Sequence, residues 1–186
     1  MAKVRRALLL AAPILTISLA LTGCVYPGGS VPQPGVNTPH DGLSTKSKPR
    51  LLDEALQRVD DVAELVGGEW LDDGIPPSVF DPANTEQREL WDWGPCDNKA
   101  TTGQYSVYVW QNADESMEFD PDALTEKVRT HWKGLGYRIR QIGPTAEDRT
   151  GHREIIVDLP HSASISFSAN TKILGISSSG ECVRWD

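Results

Sequence analysis

The chain of 186 residues carries 26 acidic against 18 basic residues, a net charge of −8, with 39% hydrophobic residues. A surface of this sign is repelled by phosphate-rich polymers, which argues against nucleic acid as a partner and against broad docking on anionic lipid headgroups. Three cysteines are few, and their positions say more than their number.

Lys3, Arg5 and Arg6 make a positive start, and Ala7 to Leu21 follow as an apolar run of 15 residues broken by Pro13, Thr16 and Ser18. That layout is a secretory signal. A permanent span of about 30 Å of hydrocarbon needs roughly 20 apolar residues, so the run is short for a transmembrane anchor. It ends in Leu21, Thr22, Gly23 and Cys24, which resembles the lipobox of bacterial lipoproteins. The resemblance implies that the Cys24 thiol is alkylated by diacylglycerol and that the chain is cut between Gly23 and Cys24. Each buried methylene contributes about 0.8 kcal/mol and one acyl chain holds only marginally, so two or more chains would hold the protein firmly on the outer face of a membrane. Loss of residues 1–23 takes the net charge from −8 to −11.

Val25 to Arg50 contain Pro27, Pro32, Pro34, Pro39 and Pro49, four glycines and almost no apolar periodicity. Residues 24–50 therefore read as a lipidated Cys and a tether, which as a flexible coil would stand the domain roughly 25 to 30 Å from the lipid. With Cys24 taken, Cys96 and Cys182 remain in a compartment where disulfides persist, and they read as one bridge.

The domain is expected over 51–186. Leu52, Leu56, Val59, Val62, Ala63 and Val66 recur at helical spacing until Gly67 and Gly68, with Asp53, Glu54, Asp60, Asp61 and Glu64 mostly off the apolar stripe; this is an amphipathic helix with a solvated acidic face. Glu69 to Thr102 places Trp70, Trp91 and Trp93 among Pro76, Pro77, Pro82 and Pro95 without a period. It reads as a partly packed connection with a helical turn after Asn84. Its tryptophans either cover an edge of the core or stack on sugar rings or aromatic ligands.

From Gln104 to Gln111, Tyr105, Val107 and Val109 alternate with Tyr108 and Trp110, so both faces are apolar, as in a central strand. Asp120 as N-cap and Pro121 at the first position open a second helix, in which Leu124, Val128, His131 and Trp132 share a face until Gly134 and Gly136. Four more strands are expected at Tyr137 to Ile142, Arg153 to Leu159, Ser162 to Ala169 and Lys172 to Ser177. In the third of these, Ala163, Ile165, Phe167 and Ala169 alternate with Ser162, Ser164, Ser166 and Ser168, one face core and one wet. The Asn170 and Thr171 turn makes a hairpin.

If the helix crossover sets the second strand parallel to the first and the other links are hairpins, the fifth strand runs antiparallel to the first. The start of the first strand and the end of the fifth then lie together, beside Cys96 and Cys182. The expectation is an α+β fold: one domain with a mainly antiparallel sheet of about five strands packed by two helices.

Catalytic signatures are missing from the sequence. Gly175 to Gly180 reads Gly-Ile-Ser-Ser-Ser-Gly, which lacks the G-x-S-x-G spacing. His40 lies in the tether, and His131, His152 and His161 lack metal-ligand spacing. Glu118-x-Asp120-x-Asp122 mimics the start of an EF-hand loop, but its sixth position is Ala123, its twelfth is Arg129, and Pro121 starts a helix inside it. No catalytic residue, metal or cofactor is expected. Residues 53 to 126 carry 19 acids against Arg58, Arg88 and Lys99, whereas 127 to 186 carry nine bases against six acids. The two halves either compensate each other or leave an acidic face for a basic extracytoplasmic partner.

As a whole the chain resembles the small lipoproteins of Actinobacteria, mycobacterial ones included. The shared layout is Cys24, Val25 to Arg50, Leu51 to Val66, Trp93 to Cys96, Gly134 to Tyr137 and Gly180 to Cys182. The resemblance implies a location facing a cell wall and carries no catalytic residue across. The resulting expectation is a membrane-anchored, non-enzymatic binding or accessory module using the sheet's wet face or the Trp-bearing loop. The alternative is a cell-envelope hydrolase whose site is assembled from distant residues.

Overall fold

A computed structural model describes residues 42–96, 101–145, 147 and 151–184. Gly23, Cys24, the leader and the tether through residue 41 lie outside the described residues. In chain order the elements are α1 (Lys48–Val66), β1 (Leu71–Asp72), α2 (Thr85–Arg88), β2 (Asp92–Pro95), β3 (Thr102–Asn112), α3 (Pro121–Gly134), β4 (Ile139–Gln141) and β5 (Arg153–Asp158). A 3-10 turn at Pro160–Ser162 leads to β6 (Ser164–Ala169), β7 (Ile173–Ser179) and β8 (Val183–Arg184).

The strands form one α+β sheet in the order β1-β3-β7-β6-β5-β4, with β2 and β8 also paired to β3. Every pairing is antiparallel. β7 lies antiparallel to β3 through seven residue pairs, from Ser106 with Ser179 to Asn112 with Ile173, as the parity of the connections requires. The sheet has eight strands rather than five because β1, β2 and β8 all dock on β3. They are two to four residues long, too short to show a period, and Gly94 and Pro95 within β2 read as breakers.

One sheet face carries Val107, Val109, Ile155, Val157, Ile165, Phe167, Leu174 and Ile176, all at 1% exposure or less. α1 covers this face with Leu52, Ala55, Leu56, Val59 and Val62, and α3 covers it with Val128 and Trp132. Full burial of each large apolar side chain stabilises by about 1.5–3 kcal/mol. α1 begins at Lys48, inside the stretch expected to be tether. Pro49 fits its first turn because the N–H that proline lacks has no helical acceptor there. Ser44 N–H donates to the Cys182 carbonyl at 2.8 Å, so the folded unit reaches back past the expected boundary at residue 51. Gly67, at φ 84°, ends α1 by donating its N–H to the Ala63 carbonyl, a backbone shape that L side chains rarely adopt.

The opposite face carries Ser106, Ser164, Ser166, Ser168, Ser177 and Ser179, with Tyr108 and Trp110 among them. Reading Tyr108 and Trp110 as a second core face is thus corrected: Tyr108 is 39% exposed. The ring lies over Gly175, where a Cβ would meet the Tyr108 hydroxyl at 3.2 Å and Ser168 Oγ at 2.7 Å. An aromatic side chain here shields backbone that glycine leaves bare.

The Trp-bearing connection is packed around Asp72, which is 2% exposed. Its carboxylate accepts from Gly74 N–H, Ser78 N–H, Ser78 Oγ and Gln87 Nε2, while its carbonyl accepts from Trp110 Nε1 at 3.0 Å. Asn84 caps α2, the expected helical turn, through the N–H groups of Glu86 and Gln87. Trp70 and Trp91 are buried; Trp93 is half-buried, edge-on to Tyr105 at 4.7 Å with Lys48 Nζ 4.9 Å from its ring centre. These rings therefore serve the core and its rim.

Cys96 and Cys182 are bridged, with Cα atoms 6.0 Å apart across 86 residues of sequence. Closing a loop of that length restricts the unfolded chain by about 4 to 5 kcal/mol in the chain-entropy picture. Replacing both cysteines by serine is expected to lower unfolding free energy by about 2–5 kcal/mol in denaturant titrations. A second expectation concerns acid. Burial works to raise the Asp72 pKa, but its hydrogen bonds from Ser78, Gly74 and Gln87 outweigh it and hold the value below the ordinary carboxylate range. The stabilisation is complete above the unfolded-state pKa of about 4 and is lost as pH falls through the lower folded value. Asp72→Asn should flatten the stability profile in that acid window; an unchanged profile refutes the assignment.

Candidate functional site

A shallow groove lies where α1 faces the segment leaving α3 and the turn before β6. One section, of about 180 Å³, is lined by Gln57, Arg58, Asp61, Trp132, Leu135, Tyr137 and Ile165. The next, of about 310 Å³, is lined by Glu54, Gln57, Arg58, Tyr137, Leu159, Pro160, Ala163 and Glu181. Gln57, Arg58 and Tyr137 belong to both, so the sections are continuous and Arg58 stands at their junction.

The position of Arg58 follows from the helix and the sheet together. It lies beside the apolar stripe of α1, so its stem runs along the core edge while its head reaches β7. Nε donates to Ser178 Oγ at 3.1 Å and Nη2 to the Ser179 carbonyl at 3.2 Å. Ser178 is fully buried, at a core-face position opposite Val107 and Ile165, where alternation would place an apolar residue. Burial pushes the guanidinium pKa down, opposed by the charges of Glu54, Tyr137 and Glu181. The group stays charged, since arginine is not deprotonated in proteins.

The carboxylates around Arg58 each have another partner, although Glu181 Oε2 is buried without one. Lys46 Nζ donates to Glu54 at 2.7 Å and to Glu181 at 2.6 Å, and His131 Nε2 donates to Asp61 at 2.6 Å. Burial acts to raise the Glu54 pKa, but hydrogen bonds from Lys46 and Arg50 hold it below the ordinary range. Among the described residues no carboxylate lies within ion-pair distance of Arg58. The groove therefore presents a desolvated cation between two apolar stretches, Trp132, Leu135 and Ile165 on one side and Leu159, Pro160 and Ala163 on the other. The second stretch is shaped by His161 and Ser162, both at positive φ, held by Cys182 N–H on the His161 carbonyl and Ala163 N–H on the Pro160 carbonyl.

The other sequence-derived candidates are brought to structural positions. Asp120 caps α3 through the N–H groups of Asp122 and Ala123. Arg153, itself buried, pairs with Asp122 at 2.6 Å, and Lys172 pairs with Glu118 at 3.3 Å, so bases of the second half compensate acids of the first. Among the described residues no group of three His, Cys, Asp or Glu side chains could hold a metal ion. Likewise, no described helix is long and apolar enough to cross a membrane. Arg58 and Ser178 were not singled out as a pair in the sequence. The signal was one base among the five acids between Leu51 and Val66 of α1 and one serine at core parity in β7.

The molecule is thus a helix-covered antiparallel sheet with an arginine-centred groove on its helical side. No protein-family model matches the sequence, and no curated protein sequence matches it. Its fold is similar to that of a DUF4853 family protein from Actinomyces odontolyticus, with a TM-score of 0.51 and 13% identity over 82% of this chain and 75% of that one. A weaker similarity, at a TM-score of 0.40 and 16% identity over 74% of this chain and 75% of that one, is to LppA, a candidate lipoprotein from Mycobacterium tuberculosis.

If the arginine is retained at the expense of stability rather than for it, Arg58→Met should unfold within about 1 kcal/mol of the native chain in urea. Relief of the buried charge would offset the two lost hydrogen bonds. A loss several times larger would make Arg58 a structural residue.

Proposed function

We propose that this chain is an exported lipoprotein of the actinobacterial type, cut between Gly23 and Cys24 and held on the outer face of the cell membrane by lipid on Cys24. Its folded domain acts as a non-enzymatic binding module with the groove around Arg58 as its ligand site. The address rests on the short apolar run followed by Leu21, Thr22, Gly23 and Cys24. The binding role rests on one observation, a half-buried guanidinium at the junction of two apolar sections with no carboxylate in contact. Ligand sites are typically concave and mostly apolar, with a few placed polar groups.

A hydrolytic role would draw on the His131 and Asp61 pair at one end of the groove. A covalent hydrolase drawing on that base needs a side-chain nucleophile within its reach, and no Ser, Thr or Cys is among the described residues that line either section. The tether would leave the domain free to sample ligands roughly 25 to 30 Å from the lipid.

Cys24→Ser tests the anchor. The variant should take up no radiolabelled acyl chain and should move from the detergent-extracted membrane fraction to the soluble exported fraction or remain uncleaved. Processing with normal membrane retention would overturn the assignment.

A further inference from the structure

We propose that the groove binds a small apolar monocarboxylic acid, its carboxylate on Arg58 and its apolar body against Trp132, Leu135 and Ile165 or against Leu159, Pro160 and Ala163. This inference rests on the reading of the groove as the ligand site and adds the chemistry of the ligand.

Three observations select the class. The first is the donor count. A guanidinium has five N–H donors in a planar fork, and Arg58 commits Nε to Ser178 Oγ and one Nη2 hydrogen to the Ser179 carbonyl. Nη1 donates to no described residue and is not fully buried, and Arg58 lines both sections of the groove. A carboxylate is the acceptor whose two oxygens match the remaining fork.

The second is charge. Arg58 is desolvated without an ion pair, and a ligand anion would supply the counter-charge that the protein withholds. The neighbouring carboxylates limit how much charge the ligand can bring. Glu54 and Glu181 lie near enough to influence Arg58 electrostatically; Lys46 pairs with both and Arg50 with Glu54, while Glu181 Oε2 is buried without a partner. A singly charged head is tolerated beside them, whereas a phosphate dianion would meet their repulsion. That distinction separates the site from a general anion trap.

The third is shape. The sections on either side of Arg58 are about 180 and 310 Å³, room for a short alkyl chain or a single aromatic ring and too little for a folded polymer domain. Their walls are mostly carbon, with Tyr137 common to both. A neutral polyol would leave those walls unused and would not supply the counter-charge.

The test uses the full-length chain carrying Cys24→Ser, so that no lipid anchor contributes apolar surface to the measurement. Hexanoate and phenylacetate are titrated beside their neutral isosteres hexanamide and phenylacetamide and beside inorganic phosphate. The signals followed are the Trp132 indole N–H and the Arg58 Nε–H by NMR. The acids should bind at least about tenfold more tightly than the amides, phosphate should compete poorly, and the acid preference should vanish in Arg58→Met. Arg58→Lys should keep part of the preference, because the charge remains while the planar fork is lost.

Equal binding of acids and amides, or an acid preference that survives Arg58→Met, would overturn the ligand class and leave the groove as the site. Phosphate binding more tightly than either acid would also overturn the class. If none of the probes moves the Trp132 or Arg58 signals, the groove reading itself fails.

Discussion

The pairing of β3 with β7 is the constraint on which the rest depends. Seven register pairs, Ser106 with Ser179 through Asn112 with Ile173, join segments more than 60 residues apart in sequence. Once made, they leave the other edge of β3 for β1 and β2, the end of the same edge for β8, and one edge of β7 for β6. The pairing also brings the chain before β3 and the chain after β7 to one end of the sheet, where Cys96 and Cys182 meet. The bridge thus reinforces a contact of high loop-closure cost rather than creating it. Because β3 is eleven residues long, it can hold β7 and β8 in series on one side and β2 and β1 in series on the other.

That arrangement explains which features were legible in the sequence. β3, α3, β5, β6 and β7 are each carried by a sustained period, and the strand directions followed from the parity of the connections. β1, β2 and β8 have no pattern of their own; they are strands because β3 offers unpaired backbone. The start of α1 was obscured because Pro49 reads as tether in a proline-rich stretch and as first-turn proline only once Leu51 and Leu52 are buried behind it. Tyr108 and Trp110 misled in the opposite direction. Their size suggested a second buried face, whereas one covers Gly175 and the other donates to the Asp72 carbonyl.

The candidate site was the least legible part, for a physical reason. Its components come from α1, the chain after α3, the turn before β6, and β7, and no two of these are neighbours in sequence. Arg58 stood out only as a base in an acidic helix, and Ser178 only as a serine at a position whose parity with Leu174 and Ile176 points into the core. Each alone is ordinary. Together they show a buried hydroxyl placed to receive a guanidinium, which a purely stabilising core would not need.

The electrostatics of the helical side give that pair its direction. The protein is acidic overall, and much of its charge is settled by contact: Arg88 with Asp53, Arg153 with Asp122, Lys172 with Glu118, and Lys46 with Glu54 and Glu181. Arg58 lies within reach of these acids' fields, yet Lys46 and His131 hold the nearby carboxylates in other pairs. To reach Arg58, Glu54 would have to leave Lys46 and Arg50 and Glu181 would have to leave Lys46, and the desolvation of both ions would not be repaid. The protein thereby keeps the Arg58 charge out of contact with any described carboxylate in a net negative molecule. A charge so placed beside carbon walls is costly to fold around and useful to bind with, and the folded arrangement of Lys46, Glu54 and Glu181 is what prevents its neutralisation from within.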